Sequence, residues 1–210
     1  MAAALLTVTL AAPSLPTTTA WSAPRRDTAE TASPAFAITS DEEGTWVWVP
    51  AWAEQVEDPA LLRALQIAST FNRPWRDQVA VYLSVHHTRI GFGPLPGGAG
   101  GAYDAAADRI TLNNAVRYEP PGVLAALLAH EVYHAVIARL PGSAACLSEE
   151  TYAFSWQAAT WAYLPDRWHG RTSWSRWHDF LVSAWRRSAL PDAVESLPGY
   201  SLACGVSILP

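Results

Sequence analysis

Residues 127–134 read LLAHEVYH. In that run, His130-Glu131-Val132-Tyr133-His134 sets two imidazoles four residues apart, with a carboxylate directly after the first. On a helix this spacing places both rings on one face, Cβ atoms about 5–6 Å apart, close enough to ligate one cation. Glu131 stands one step round and projects beside the cation, where it can take a proton from water activated there. The surroundings make a casual surface placement a poor explanation. Positions 123–129 and 135–137 are wholly apolar, so the helix is expected to be buried. An unpaired carboxylate in it costs several kcal/mol, which a divalent cation offsets.

A catalytic zinc takes three protein ligands and keeps a further position for water. A third histidine in the HExxHxxGxxH arrangement would require Gly at 137 and His at 140. The chain has Ile137 and Leu140, which excludes it. The remaining common donor is a glutamate from the next helix. Glu149 and Glu150 follow a Pro141-Gly142 turn and open a segment that returns past the site. Successive helical residues lie about 100° apart, so only one of the two can face the metal. The other suits the dipole of the first helical turn.

The elements that must hold these side chains are legible from pattern and punctuation. "EDPALLRALQIASTFN" (57–72) reads as a helix, with Asp58 as N-cap and Pro59 at its first position. "DQVAVYLSV" (77–85) has the composition of a strand. "GFGPLPGGAGGA" (91–102) reads as a loop that could act as a flap. It lacks both the GxGxxG and the GxxxxGK[ST] phosphate-binding patterns. "YDAAADRITLNN" (103–114) is expected to form a strand or strand pair centred on Arg109–Leu112. The metal helix spans 120–142, a second helix 148–164 with Ser148 as N-cap, and a final one 173–189. The expected fold is α+β: a small antiparallel or mixed sheet packed on the active-site helix, followed by a helical C-terminal part.

Composition bounds the possibilities. Of 210 residues, 50% are hydrophobic and 16% charged, which favours a folded domain. A net charge of −5 offers no basic face for nucleic acid, and no apolar run reaches the roughly 18–20 residues of a membrane span. Residues 1–23 resemble an export segment: Ala2–Ala12 is a suitable apolar stretch, although no Lys or Arg precedes it. Export to the periplasm, the cell surface or the medium is therefore expected, with a cytoplasmic location as the alternative. Residues 24–44 have linker composition, leaving 45–210 as the domain. Cys146 and Cys204 are either one disulfide or two unrelated residues, and neither lies in a CxxC. Eleven tryptophans imply an aromatic core or an aromatic interaction surface.

Three short stretches together resemble the core of gluzincin-type zincin metallopeptidases in their small bacterial versions. Tyr103-Asp104 is followed by Ile110 and Leu112, then Leu128-Ala129-His130-Glu131-Val132-Tyr133-His134, then Glu150-Thr151-Tyr152-Ala153-Phe154. The likeness covers residues 103–163, and only the HExxH is specific. It implies one zinc ion bound by His130, His134 and Glu150, a peptide or protein substrate, and Glu131 as general base and then general acid. It also favours Glu150 over Glu149, and places the strand near Arg109–Leu112 along the site, where an extended peptide adds as a further strand.

Candidates for stabilising a developing oxyanion are Tyr152, His169, Arg171 and His178. His86 and His87 are adjacent at the end of an expected strand, so they face opposite ways and cannot both join the metal. Another amide could replace the peptide as substrate. A reading of a different class is a non-catalytic, metal-containing binding module with a Trp-rich interaction surface.

Overall fold

The computed structural model describes residues 37–40, 46–49, 51–71, 82–83, 85–139 and 146–197, all within one compact unit, Pro34–Pro210. The expected export segment, most of the expected linker, and Cys204 lie outside the described residues. The architecture is α+β, with a small mixed sheet.

Among the described residues, five strands and five α-helices of six residues or more carry it. β1 (Ala37–Ser40) and β2 (Trp46–Val49) pair antiparallel, Ala37 opposite Val49 and Ser40 opposite Trp46. β1 lies inside the stretch read as linker. Ile38 and Thr39 are the β-branched residues that a four-residue strand needs. α1 (Pro59–Phe71) starts as its sequence implies, the Asp58 carboxylate accepting from the Ala60 N–H at 2.8 Å. The strand expected at 77–85 is not found: Tyr82, Leu83 and Val85 are helical, and the His86 N–H donates to the Tyr82 carbonyl at 2.8 Å. Its remaining residues are outside the described set.

β3 (Arg89–Gly93), β4 (Gly101–Asp104) and β5 (Arg109–Asn113) form a sheet in the order β3-β5-β4, with β3 parallel and β4 antiparallel to β5. Two corrections follow. The glycine-rich run 91–102 is not all loop, because β3 continues through Gly93 and β4 begins at Gly101. Gly91 sits inside the ladder where a Cβ would collide with the Glu57 carboxylate, so this glycine marks close packing and not a turn. β5 is the central strand, with both edges paired, so a peptide cannot add to the Arg109–Leu112 strand.

α2 (Pro121–Ile137) is the central helix, buried at every residue from Gly122 to Tyr133. It packs against α1, against the sheet, and most extensively against α3 (Cys146–Tyr163). Ile90, Ile110 and Leu112 of the sheet join Leu61 and Leu65 of α1 and Leu124 and Leu128 of α2 in one core. α3 begins two residues before Ser148, which is exposed within the first turn and is not the N-cap.

The final helix is shorter than expected. α4 (Ser173–Arg186) is opened by a capping box between Thr172 and Ser175, and ends where Ser188 turns to a φ of +56°. α5 (Leu190–Glu195) follows. Among the described residues no helix is long and apolar enough to cross a membrane.

The tryptophans in this helical part belong to the core or its margin. Trp161 is 1% exposed and stacks between His169 at 3.9 Å and His178 at 4.7 Å, with Nε1 donating to Asp179 at 2.8 Å. The fully buried His178 donates Nδ1–H to the Trp174 carbonyl at 2.6 Å, leaving Nε2 to accept from Gln157 at 3.0 Å. That pattern fixes a neutral ring, and burial lowers its pKa to about 4. In the unfolded chain the ring takes a proton below about pH 6.5, whereas the folded chain resists it until pH 4. Stability from this group is therefore complete above pH 6.5 and lost as pH falls toward 4, by about 3 kcal/mol. An NMR titration is expected to give His178 a midpoint near 4; a midpoint near 6.5 would contradict this packing.

Candidate metal centre

Helical spacing brings the two imidazoles together as the sequence implies. The Nε2 atoms of His130 and His134 lie 3.1 Å apart. α3 then returns antiparallel past them, and its first turns deliver both glutamates. The Glu150 carboxylate approaches from above, one oxygen 3.4 Å from His130 Nε2 and the other 3.5 Å from His134 Nε2. A tetrahedral ion with bonds of about 2.0–2.1 Å holds its ligand atoms about 3.3 Å apart. One donor atom from each of the three residues lies within 4.8 Å of the other two, and the shortest approaches between the residues, 3.1, 3.4 and 3.5 Å, are near that spacing. Glu150 Oε2 is buried and has no hydrogen-bond partner, a cost that a cation would remove. The residues therefore fit a divalent metal, and among the described residues they are the one group of at least three ligand-type side chains so placed.

Glu149 takes a different position. Its Oε1 accepts from His134 Nδ1 at 2.9 Å, fixing the tautomer that leaves Nε2 free for a metal. So both glutamates serve one site, one facing the imidazole nitrogens and one behind His134. His130 has no equivalent: its Nδ1 is buried without a hydrogen-bond partner, and the ring is seated against the edge of Phe154 at 4.5 Å.

The electrostatics of the group is that of a site awaiting positive charge. Burial works against ionising Glu150, yet its close approach to the two imidazoles overrides it and brings the carboxyl to about 2. Burial likewise opposes a charged His134, but its carboxylate neighbours hold its pKa up to about 9. Glu131, 5% exposed, has its pKa raised, chiefly by burial. It is not a member of the ligand group.

A cleft of about 330 Å³ opens over these side chains. β4 lines it with Gly101, Ala102 and Tyr103, the start of α3 with Glu149 and Glu150, and Ala138 lines it just past the end of α2. β4 rather than β5 therefore lies along the site, and it has no strand on its outer edge among the described residues. Gly101 lies directly on Glu131, where a Cβ would fall 2.6 Å from Oε1 and 2.7 Å from Cγ. The absent side chain is the space that Glu131 occupies. The glycine cluster at 97–101 was the sequence signal for this contact, but nothing in it named Glu131 as the partner.

The remaining candidates stand elsewhere. His169 and His178 flank Trp161 in the helical core, and His169 Nε2 donates to the Trp161 carbonyl at 3.0 Å. Tyr152 is 56% exposed beside Tyr133, their rings 6.3 Å apart, and neither it nor Arg171 lines the cleft. His86 packs on Tyr82, ring centres 4.8 Å apart, and neither it nor His87 joins the ligand group.

The two glutamates are separable by experiment. In competition with a chelator, Glu150→Gln is expected to lose most metal affinity, like His134→Ala. Glu149→Gln should retain the metal but bind it about 10–100-fold more weakly, the usual effect of removing a carboxylate behind a ligating histidine. Equal losses at Glu149 and Glu150 would contradict their different positions.

Compared with known proteins, the chain matches no family model, no curated protein and no solved structure.

Proposed function

We propose that this chain is a zinc-dependent peptidase of the gluzincin type, with His130, His134 and Glu150 as ligands and Glu131 as general base and then general acid. The observation that carries the reading is the company Glu131 keeps. It is a buried carboxylate with a raised pKa, beside a three-ligand group but not in it, at the floor of an open cleft. A purely structural zinc site is closed by four protein ligands and has no use for such a group. That comparison counts against the non-catalytic binding module.

When bound, zinc supplies a Lewis acid that polarises the scissile carbonyl and acidifies water at the same point. Glu131 accepts a proton from the attacking water. It then delivers that proton to the leaving nitrogen, so that the amine departs neutral. Glu149 keeps His134 in the required tautomer. The free edge of β4 offers backbone N–H and C=O groups to an extended peptide, which would lie along the cleft as an added antiparallel strand. Tyr103 is the one phenol lining the cleft. Its hydroxyl donates to Asp108 at 3.2 Å, so it is committed to the wall and not to the reaction.

Glu131→Gln should bind zinc as the parent does and lose hydrolysis of an unstructured protein by about 10²–10⁴-fold. Gly101→Ala should do the same by displacing the Glu131 carboxylate. A Glu131→Gln protein that digests casein as fast as the parent would sink the mechanism.

A further inference from the structure

A polar cluster stands beside the cleft and joins β4 to the chain just past the end of α2. Asp108 closes the β4–β5 turn at a φ of +47°, a left-handed conformation that costs a residue with a side chain roughly 1 kcal/mol or more. Glycine would adopt it freely. What aspartate adds is its carboxylate. Oδ1 accepts from the Thr88 hydroxyl at 2.8 Å and from the Tyr103 hydroxyl at 3.2 Å, and Oδ2 pairs with Arg139 at 2.6 Å. The Asp108 carbonyl also accepts from the Arg89 N–H at 3.0 Å. Thr88 is wholly buried, and its hydroxyl lies 2.9 Å from the Tyr82 phenol. Partial burial opposes ionisation, but the donors win and hold the carboxyl below its ordinary value.

One carboxylate thus ties three pieces of chain: the approach to β3, the edge strand β4, and the end of α2. The last two are the parts that bound the cleft. Tyr103 and Gly101, two apart on β4, share a face, and Gly101 rests on Glu131. Arg139 directly follows Ala138, which lines the cleft. β4 is hydrogen-bonded to β5 alone among the described strands, so the sheet by itself does not fix its approach to α2.

We propose that Asp108 is a positioning residue: by joining Tyr103 to Arg139 it sets the gap between β4 and α2, and with it the binding of an extended peptide. This rests on the peptidase reading for its substrate, though not for its geometry. A staple of purely structural importance would lower stability everywhere. A gap-setting residue acts on β4 and on long substrates, leaving the chemistry at Glu131 intact.

Asp108→Asn is the informative variant, because asparagine tolerates the left-handed turn and can still accept from Thr88, but carries no charge for Arg139. It is paired with Arg139→Met and the double variant in the full-length chain. For a hexapeptide, KM should rise about tenfold with kcat changed less than about twofold, and a blocked dipeptide should be hardly affected. Amide hydrogen exchange should accelerate about tenfold over Gly101–Asp104 and not in α2. The double variant should be no worse than either single one, the mark of a coupled pair. Unchanged KM and exchange, or acceleration spread equally through α2, would overturn the proposal. If the parent cleaves no peptide, the peptidase reading fails, and the exchange pattern alone decides the role of Asp108.

Discussion

Three carboxylates and two imidazoles meet where α2 and α3 pack, with Glu131 and His130 each about 95% buried. Apolar packing cannot hold such a group by itself. Transferring a lone carboxylate from water into an interior costs several kcal/mol, and two of them near one another cost more. In the chain alone burial opposes both charges, but the imidazoles bring Glu150 to about 2 and the carboxylates hold His134 up to about 9. A divalent cation among the three converging ligand atoms would add positive charge, and would give the orphaned Glu150 oxygen a partner.

The rest of the fold follows from keeping that group in place. α2 must be central, so it is apolar on every side and covered by α1, the sheet and α3. α3 must begin close to the end of α2, so that its first turns bring Glu149 behind His134 and Glu150 over both rings. β4 must come down onto Glu131, which only a glycine at 101 permits. Asp108 then ties that strand to Arg139, past the far end of the metal helix.

What the sequence revealed, it revealed through local rules. HExxH places its side chains by the geometry of a single helix, and Asp58-Pro59 caps α1 by chemistry confined to three residues. The failures involve partners far away in the chain. Gly91 and Gly93 look like loop residues because the side chains they make room for, Glu57 and Thr111, are distant in sequence. Tyr82 and Val85 are residues of strand type, yet Tyr82, Leu83 and Val85 are helical, local propensity giving way to the burial of Tyr82 and Leu83. Ser148 was a plausible cap, yet the helix starts at Cys146. α5 went unread because six residues carry no measurable periodicity, although Pro191 at its start was a fair signal. Glu149 and Glu150 could not be told apart by spacing alone; the difference lies in which nitrogen of His134 each one meets.

The metal content of the full-length chain, purified without chelators and supplied with zinc, tests the central claim most directly. The proposed reading predicts about one equivalent of zinc per chain, lost together with the His134 side chain in His134→Ala. Less than about half an equivalent, under conditions that fill well-known zinc enzymes, would contradict it.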